Sequence, residues 1–362
     1  MCENDIEFIR RFSQKSAQFR VPLSGSIDLT HRCNLRCVHC FLGDHADQSR
    51  VSCREMNTGK ILSLIDEITE AGCLFLLITG GEPLLRKDFA AIYRHTKMNG
   101  LLVTLFTNGT LITDEILALF DDLPPHFVEI SLYGATSHTY ERISGVEGSF
   151  ERCMTGIQRL LDHGFDTRIK TVLMTLNRHE FSDIENIAKA LGVRFRFDAA
   201  IFPCTDGRKY PLDLRVSPED AVEMEFSDSE RARGWLEYFL KYQLQPSFNK
   251  LYSCGAGITG FHIDPYGKLQ PCLMANHFQY DLLTGDFLTG WKDVISGIHE
   301  KKLGRTYSCS NCEKRYLCGF CPAFHRLENG AEDLCSEYLC AIGNQRFEQL
   351  NKITSQEIQY VE

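Results

Sequence analysis

Long apolar runs are missing from this 362-residue chain. No uncharged stretch approaches the roughly 20 residues that a membrane-spanning helix needs, so no membrane partner is expected. The opening Met1-Cys2-Glu3-Asn4-Asp5 has neither the basic nor the apolar region of a secretory signal, which predicts a cytoplasmic protein. Positive charge is also short: 39 Lys and Arg stand against 48 Asp and Glu, a net charge of −9. That balance argues against a general binder of nucleic-acid backbone, so no nucleic-acid partner is expected. No internal repeat or low-complexity tract interrupts the chain. The remaining composition, 43% apolar and 24% charged, is ordinary for a globular protein, with length for one large domain and a smaller one.

Cysteine, by contrast, is abundant, with sixteen residues. A reducing cytosol disfavours disulfides, so clustered cysteines there read as metal ligands. Eleven fall into two clusters: Cys33, Cys37 and Cys40 near the front, and Cys254, Cys272, Cys309, Cys312, Cys318, Cys321, Cys335 and Cys340 at the back. Cys2, Cys53, Cys73, Cys153 and Cys204 are scattered, and buried apolar thiols are expected for most of them. The front run has the spacing C-x3-C-x2-C. A cubane [4Fe–4S] cluster has one iron for each of four thiolates, so three thiolates leave an iron open to a substrate or cofactor. The alternative is a structural zinc site closed by His31, His39 or His45.

Strand and helix signals alternate six times. Apolar or β-rich runs lie at about 24–30, 74–79, 101–106, 127–132, 168–174 and 193–198. Between them, Ile61, Leu64, Ile65 and Ile68 recur at helical spacing, as do Phe89, Ile92 and Tyr93, and Ile157, Leu160 and Leu161. Gly72, Gly100 and Gly164 sit where helices would end. Repeated β–α units imply parallel strands with right-handed crossovers, and six of them fit an α/β partial (β/α)6 TIM-type barrel.

The strand faces predict a polar lumen. Strands covered by helices need an apolar outer face, which puts Val193, Phe195 and Phe197 outward and turns Arg194, Arg196 and Asp198 inward. The same test turns Glu129, Ser131 and Tyr133 inward, with Ser26, Asp28 and Thr104. A hydrated cavity for polar ligands follows, or else a set of internal salt bridges. A helix is expected over about 217–243, with Ser217 as N-cap and Pro218 in the first turn. Beyond about 250 the chain turns to short segments. Asp264-Pro265-Tyr266-Gly267 reads as a hairpin turn, in a small cysteine-rich domain with too little apolar material for a core of its own. A closing helix over about 341–352 follows. These readings divide the chain into an arm (1–20), a barrel (21–245), a cysteine-rich domain (246–345) and a C-terminal helix or tail (346–362).

The Cys33–Cys40 run, followed one strand later by Thr79-Gly80-Gly81-Glu82-Pro83, resembles the signature of the radical S-adenosylmethionine (SAM) enzymes. The likeness extends over about 21–345. It implies a [4Fe–4S] cluster on Cys33, Cys37 and Cys40 whose open iron chelates SAM. Reductive cleavage then gives a 5′-deoxyadenosyl radical that takes a hydrogen atom from the substrate. It also implies that the backbone of Gly80, Gly81 and Pro83 and the Glu82 carboxylate receive the SAM amino group, a charge-assisted contact. Asn108 and Ser131, at strand ends where barrel enzymes place ligands, contact ribose and carboxylate; Asn108 reads equally as a turn cap. His39 matches the aromatic position that flanks the adenine, or is a surface histidine. Arg142 pairs the methionine carboxylate, or is a solvated helix charge.

The C-terminal cysteines resemble the SPASM domain, which carries up to two auxiliary iron–sulfur clusters. That scheme assigns Cys254, Cys272 and Cys321 to the first cluster, and Cys309, Cys312 and Cys318 to the second with a late cysteine, Cys335 or Cys340. Two departures stand out: the last pair, Cys318 and Cys321, is spaced x2 rather than x3, and an early cysteine used by some members is absent, position 260 being Gly. Either the first auxiliary cluster has an open iron or the spare late cysteine closes it. The stretches Ile130–Thr136 and Gly145–Phe150 also look like SPASM-type members.

Many such relatives modify peptides or proteins, and a peptide or protein substrate is the first expectation, with a low-potential electron donor such as flavodoxin or ferredoxin. Leu273, directly after Cys272, lacks the acid of a common sulfatase-maturing pattern. The short N-terminal arm also leaves no room for the peptide-recognition domain of several maturases. The alternatives are radical oxidation or rearrangement of a small molecule, such as a sugar or a tetrapyrrole side chain, and an iron–sulfur electron carrier without turnover. Cys204, after the sixth strand, is a candidate hydrogen-atom donor at the cavity mouth, or an ordinary thiol.

Overall fold

The computed structural model describes residues 3–43, 53–242, 250–302 and 307–359. Helix α1 (Glu3–Gln18) precedes six strands: β1 (Ser24–Thr30), β2 (Phe75–Gly80), β3 (Leu102–Thr107), β4 (Phe127–Ser131), β5 (Thr167–Val172) and β6 (Arg194–Asp198). They fall within two residues of the six expected runs and pair in parallel in the order β6-β5-β4-β3-β2-β1. The crossovers are α2 (Thr58–Glu70), α3 (Phe89–Met98), α4 (Asp114–Asp122), α5 (Ser137–Ser144) with α6 (Ser149–Asp162), and α7 (Phe181–Ala190). The sheet does not close on itself, and the fold is a partial α/β barrel.

The helices form where the apolar spacing places them. Helix α2 starts at Asn57, whose side chain accepts from the Lys60 N–H, and buries Ile61, Leu64, Ile65 and Ile68. Each such side chain removed from water contributes about 1.5–3 kcal/mol. Against this layer lie the outward residues of the strands, among them Ile27, Leu29, Ile78, Val103, Leu105, Val128 and Ile130, all buried. Gly72, Gly100 and Gly164 end helices with φ of +100°, +81° and +77°, as the sequence predicts.

Three features differ from the expectation. The hairpin β7 (Gly260–Ile263) and β8 (Lys268–Gln270) forms, but β7 also pairs in parallel with β1, Ser24 opposite Gly260 and Ser26 opposite His262, and β9 (Tyr280–Asp281) follows β8. The cysteine-rich region thus extends the barrel sheet to nine strands. Gly25 permits this docking: a Cβ there would stand 2.1 Å from the Phe261 ring. The helix expected over 217–243 is two, α8 (Pro218–Phe226) and α9 (Ser229–Tyr242). Ser217 caps the first as predicted. The Asp228 carboxylate accepts from the N–H groups of Glu230 and Arg231 and starts the second. The closing helix, after α10 (Pro322–Asn329), is α11 (Glu337–Gln359), longer than expected because Ser336 starts it by accepting from the Leu339 N–H.

The cysteine-rich region also has a small core, contrary to expectation. Leu251, Tyr252, Ala275, Ile298, Tyr307 and Ala323 pack together, with Cys272, Cys321 and Cys335 against them. The 245/246 boundary and His45 lie outside the described residues. Among the described residues no helix is long and apolar enough to cross a membrane.

Candidate active site

The loop after β1 is held by its neighbours rather than by regular structure. The N–H groups of Arg36 and Val38 donate to Ser144 and Ile143 carbonyls at the end of α5, over 2.7 and 3.0 Å. On the other side, Gly81 N–H donates to Thr30 O (2.8 Å) and Glu82 N–H to Arg32 O (2.9 Å). These contacts explain the two glycines. A Cβ on Gly80 would stand 2.3 Å from Thr30 O, and one on Gly81 2.2 Å from Arg32 O. Gly80 also has φ of +126°.

Within this loop the three thiols lie in one another's fields. Burial pushes Cys33 up to about 12, against the Leu35 N–H; Glu82 and Cys40 add to the rise. Burial pushes Cys40 up to about 11, against the N–H groups of Leu42 and Gly43, and Cys37 rises through burial and the charges of Cys33 and Cys40. Three thiolates crowded in a desolvated loop need a cationic partner, and N–H groups aimed at sulfur suit anionic sulfur. The donor set therefore fits an iron–sulfur cluster. The zinc alternative would need a nearby histidine as its fourth ligand. His31 is bound to Asp28 (3.1 Å), and the His39 ring packs edge-on against Tyr133 at 4.5 Å.

Glu82 is bonded within the fold. Its carboxylate is fully buried and accepts from Asn108 N–H (2.8 Å) and Leu84 N–H (3.1 Å), with the Thr107 hydroxyl 2.9 Å from both oxygens. Burial raises it to about 7 against those bonds. It ties the end of β2 to the end of β3, and Pro83 opens the short turn that follows. Asn108 continues the chain: its amide donates to Asn34 Oδ1 (2.8 Å) and lies 3.8 Å from Cys33 Sγ, while its oxygen caps Thr110. It is a turn cap that grips the cysteine loop. Asn34 and Thr107, which complete this grip, had no motif to mark them.

Ser131, at the end of β4, is buried beside Tyr133. His39 is not a surface histidine: its Nδ1 is buried without a hydrogen-bond partner, and burial pushes the ring down to about 4, so it is neutral at pH 7. Arg142 is exposed on α5. Cys204 is not at a cavity mouth. It is fully buried, and its thiol donates to the Cys40 carbonyl (3.5 Å), as does the Tyr210 hydroxyl (3.0 Å).

The lumen combines both expectations. The Arg196 guanidinium clasps Glu129, with Nε at 2.7 Å, and Lys170 Nζ lies 3.7 Å from the same carboxylate and 3.4 Å above the Phe106 ring. This is an internal ion-pair network, yet the Arg196 side chain is 54% exposed, so the barrel is open to solvent at β6. Lys170 follows from the period-two test applied to β5, where Arg168 and Lys170 alternate with Ile169 and Thr171.

The back cysteines form two groups. Cys254, Cys272 and Cys321 lie in one another's fields, and burial pushes Cys321 up to about 11. Cys309, Cys312 and Cys318 form the second, with Cys335 and Cys340: a thiol hydrogen bond from Cys340 holds Cys309 down, and Cys340 also feels Cys318.

Residues 27–191 match the Radical SAM superfamily model. Among curated relatives, the AdoMet-dependent heme synthase of Methanosarcina barkeri is 37% identical over 165 residues, 46% of either chain. This chain therefore spans about half the length of that relative. Mycofactocin maturase MftC of Mycobacterium tuberculosis is 28% identical over 313 residues, 83% of this chain and 78% of that protein. PqqA peptide cyclase of Ruegeria pomeroyi is 29% identical over 273 residues, 72% and 71%. Among solved structures, Streptococcus suis SuiB bound to precursor peptide SuiA superposes with a TM-score of 0.69 at 17% identity, covering 92% of this chain and 80% of that one. Native anSMEcpe with bound AdoMet gives 0.68 at 17%, covering 92% and 100%. The solved structures share the fold. With the three-thiol loop, the Gly-Gly-Glu-Pro turn and the family match together, residues 27–191 are a radical SAM domain, and a cysteine-rich C-terminal region follows it.

Proposed function

We propose that this enzyme modifies a peptide or protein by radical hydrogen abstraction. The observation that carries the reading is the gathering of Cys33, Cys37 and Cys40 beside the Gly80–Gly81 backbone, with two further thiol groups behind them. Relatives named as a maturase and a peptide cyclase align over 83% and 72% of this chain. Cys33, Cys37 and Cys40 would hold the SAM-binding cluster; Cys254, Cys272 and Cys321 the first auxiliary cluster; and Cys309, Cys312, Cys318 and Cys340 the second. Cofactors bound there supply the 5′-deoxyadenosyl radical that takes a hydrogen atom from the substrate.

The chain's own residues bind, orient and shield. Glu82 and Asn108 hold the cysteine loop against the ends of β2 and β3, leaving the backbone at Gly80, Gly81 and Pro83 to face SAM. Neutral His39 offers an apolar ring edge to the adenine. Ser131 would contact the ribose, and Arg142, on the helix whose end braces the loop, would pair the methionine carboxylate. Lys170 and Arg196 share Glu129 and give the lumen a site for a carboxylate or amide of the substrate. The barrel core spans 21–245, the auxiliary region 246–345 and the C-terminal segment 346–362, behind the 1–20 arm. A flavodoxin or ferredoxin supplies electrons.

A second reading, oxidation of a tetrapyrrole side chain, is favoured by the heme synthase of Oleidesulfovibrio alaskensis, 25% identical over 86% of this chain. The test is anaerobic turnover of the reconstituted full chain with SAM and dithionite, offered peptides encoded beside its gene or a tetrapyrrole propionate. We expect 5′-deoxyadenosine release and a mass change in a peptide, both lost in Cys37→Ala. A mass change in the tetrapyrrole alone would favour the second reading, and 5′-deoxyadenosine release independent of Cys37 would overturn the site assignment.

A further inference from the structure

Among the described residues, three thiols make up the first auxiliary group. Cys254, Cys272 and Cys321 lie in one another's fields, whereas Cys340 and Cys335 interact with Cys309, Cys335 from the edge of the small core that Cys272 and Cys321 also touch. A neighbouring side chain has the character of a ligand. His277 follows Cys272 by five residues, through successive turns in which Ala275 N–H donates to Cys272 O and Phe278 N–H to Ala275 O, each 3.0 Å. Phe278 packs with Cys272 and Cys321 in the satellite core.

The imidazole is oriented by a carboxylate. His277 Nε2 lies 2.7 Å from Glu332 Oε1, and that oxygen also accepts from the Tyr252 hydroxyl (2.7 Å). Lys301 Nζ holds the other oxygen at 2.5 Å. Tyr252 in turn lies in the fields of Cys321 and Cys272, which places the network beside the thiols. The Nε2 side of the ring faces the Glu332 carboxylate, which leaves Nδ1 as the nitrogen turned toward another partner. That Nδ1 is buried and has no hydrogen-bond partner among the described residues. An imidazole with one nitrogen donating to a carboxylate and the other bare is the arrangement of a metal-ligating histidine.

We propose that His277, through Nδ1, is the fourth protein ligand of the iron–sulfur cluster held by Cys254, Cys272 and Cys321. The inference rests on the reading of those three cysteines as the first auxiliary site. The resulting site is closed, with a neutral ligand in place of a fourth thiolate. Such a replacement removes negative charge and raises the reduction potential, as histidine ligation does in other clusters. Glu332, Tyr252 and Lys301 are positioning residues for the ring.

The test uses the full chain with Cys33, Cys37 and Cys40 changed to Ala, reconstituted anaerobically, so that only the auxiliary clusters report. Pulsed paramagnetic resonance of the reduced protein, with and without 15N-histidine, should show a strongly coupled nitrogen that shifts with the label. His277→Cys should keep the iron content, lose that coupling and lower the midpoint potential of one cluster. Cys335→Ser should change neither. Iron for two clusters without nitrogen coupling, or coupling that survives in His277→Cys, would overturn the proposal. Iron for only one cluster in the starting protein would instead overturn the auxiliary-site reading beneath it.

Discussion

The side-chain amide of Asn276 donates to the backbone carbonyl of Thr205 over 2.7 Å. Thr205 N–H in turn donates to Phe41 O (2.9 Å), directly after Cys40, while the Cys204 thiol bonds the Cys40 carbonyl. Asn276 sits between Cys272 and His277. A short line of hydrogen bonds thus joins the front thiol loop to the first of the back thiol groups, across residues far apart in sequence. We expect Asn276→Ala to leave the Thr205 carbonyl unsatisfied and to cost about 1–3 kcal/mol, read as a lower anaerobic melting temperature of the holoenzyme with unchanged iron content. An unchanged melting temperature would show that the two regions are held by other contacts.

Gly81 has no room for a side chain. The 2.2 Å separation between a Cβ there and Arg32 O means that Gly81→Ala must push the cysteine loop away from β2, an overpacking cost of about 1–3 kcal/mol. We expect weaker SAM binding, measured as a smaller change in the front-cluster resonance on titration with SAM, while the auxiliary clusters keep their signals.

Cys204 is a packing thiol whose S–H serves the Cys40 carbonyl. Cys204→Ser preserves the donor and is expected to hold product formation within a few-fold of the wild type, whereas Cys204→Leu should lower the iron content of the front loop. Complete loss of product in Cys204→Ser, with 5′-deoxyadenosine release intact, would instead assign it hydrogen-atom donation.

Lys170 links the lumen to pH. Burial pushes its ammonium down to about 7; Glu129 pulls it up, and Arg196 adds to the fall. The folded-state value lies below that of the unfolded chain, so between about pH 7 and 10.5 the unfolded chain holds the extra proton. Stability from this group therefore rises with pH across that window, by at most about 1.4 kcal/mol per unit. Urea denaturation at several pH values should show that slope flattened in Lys170→Met. An equal slope in both proteins would contradict the buried ammonium.

The repeating unit of the barrel is legible in the sequence because it is local. The helical spacing of Ile61, Leu64, Ile65 and Ile68 and the alternation of Arg194, Arg196 and Asp198 with phenylalanines each report one element's own buried face. The glycine punctuation at Gly72, Gly100 and Gly164 is equally local, since each position needs a positive φ. The same holds for Cys33, Cys37 and Cys40, whose proposed ligand role rests on residue type and spacing along one loop.

What only the tertiary structure decided are the partnerships between residues distant along the chain. Backbone pairing of β7 with β1 uses groups that every residue carries, so no side-chain pattern announces it. The commitment of Glu82 to Asn108 and Thr107, the burial of Cys204 behind Cys40, and the sorting of Cys335 and Cys340 toward Cys309 depend on which desolvated group meets which donor. A sequence lists the donors and acceptors; the fold chooses among them, because a buried polar atom must be satisfied by whatever the packing places within reach.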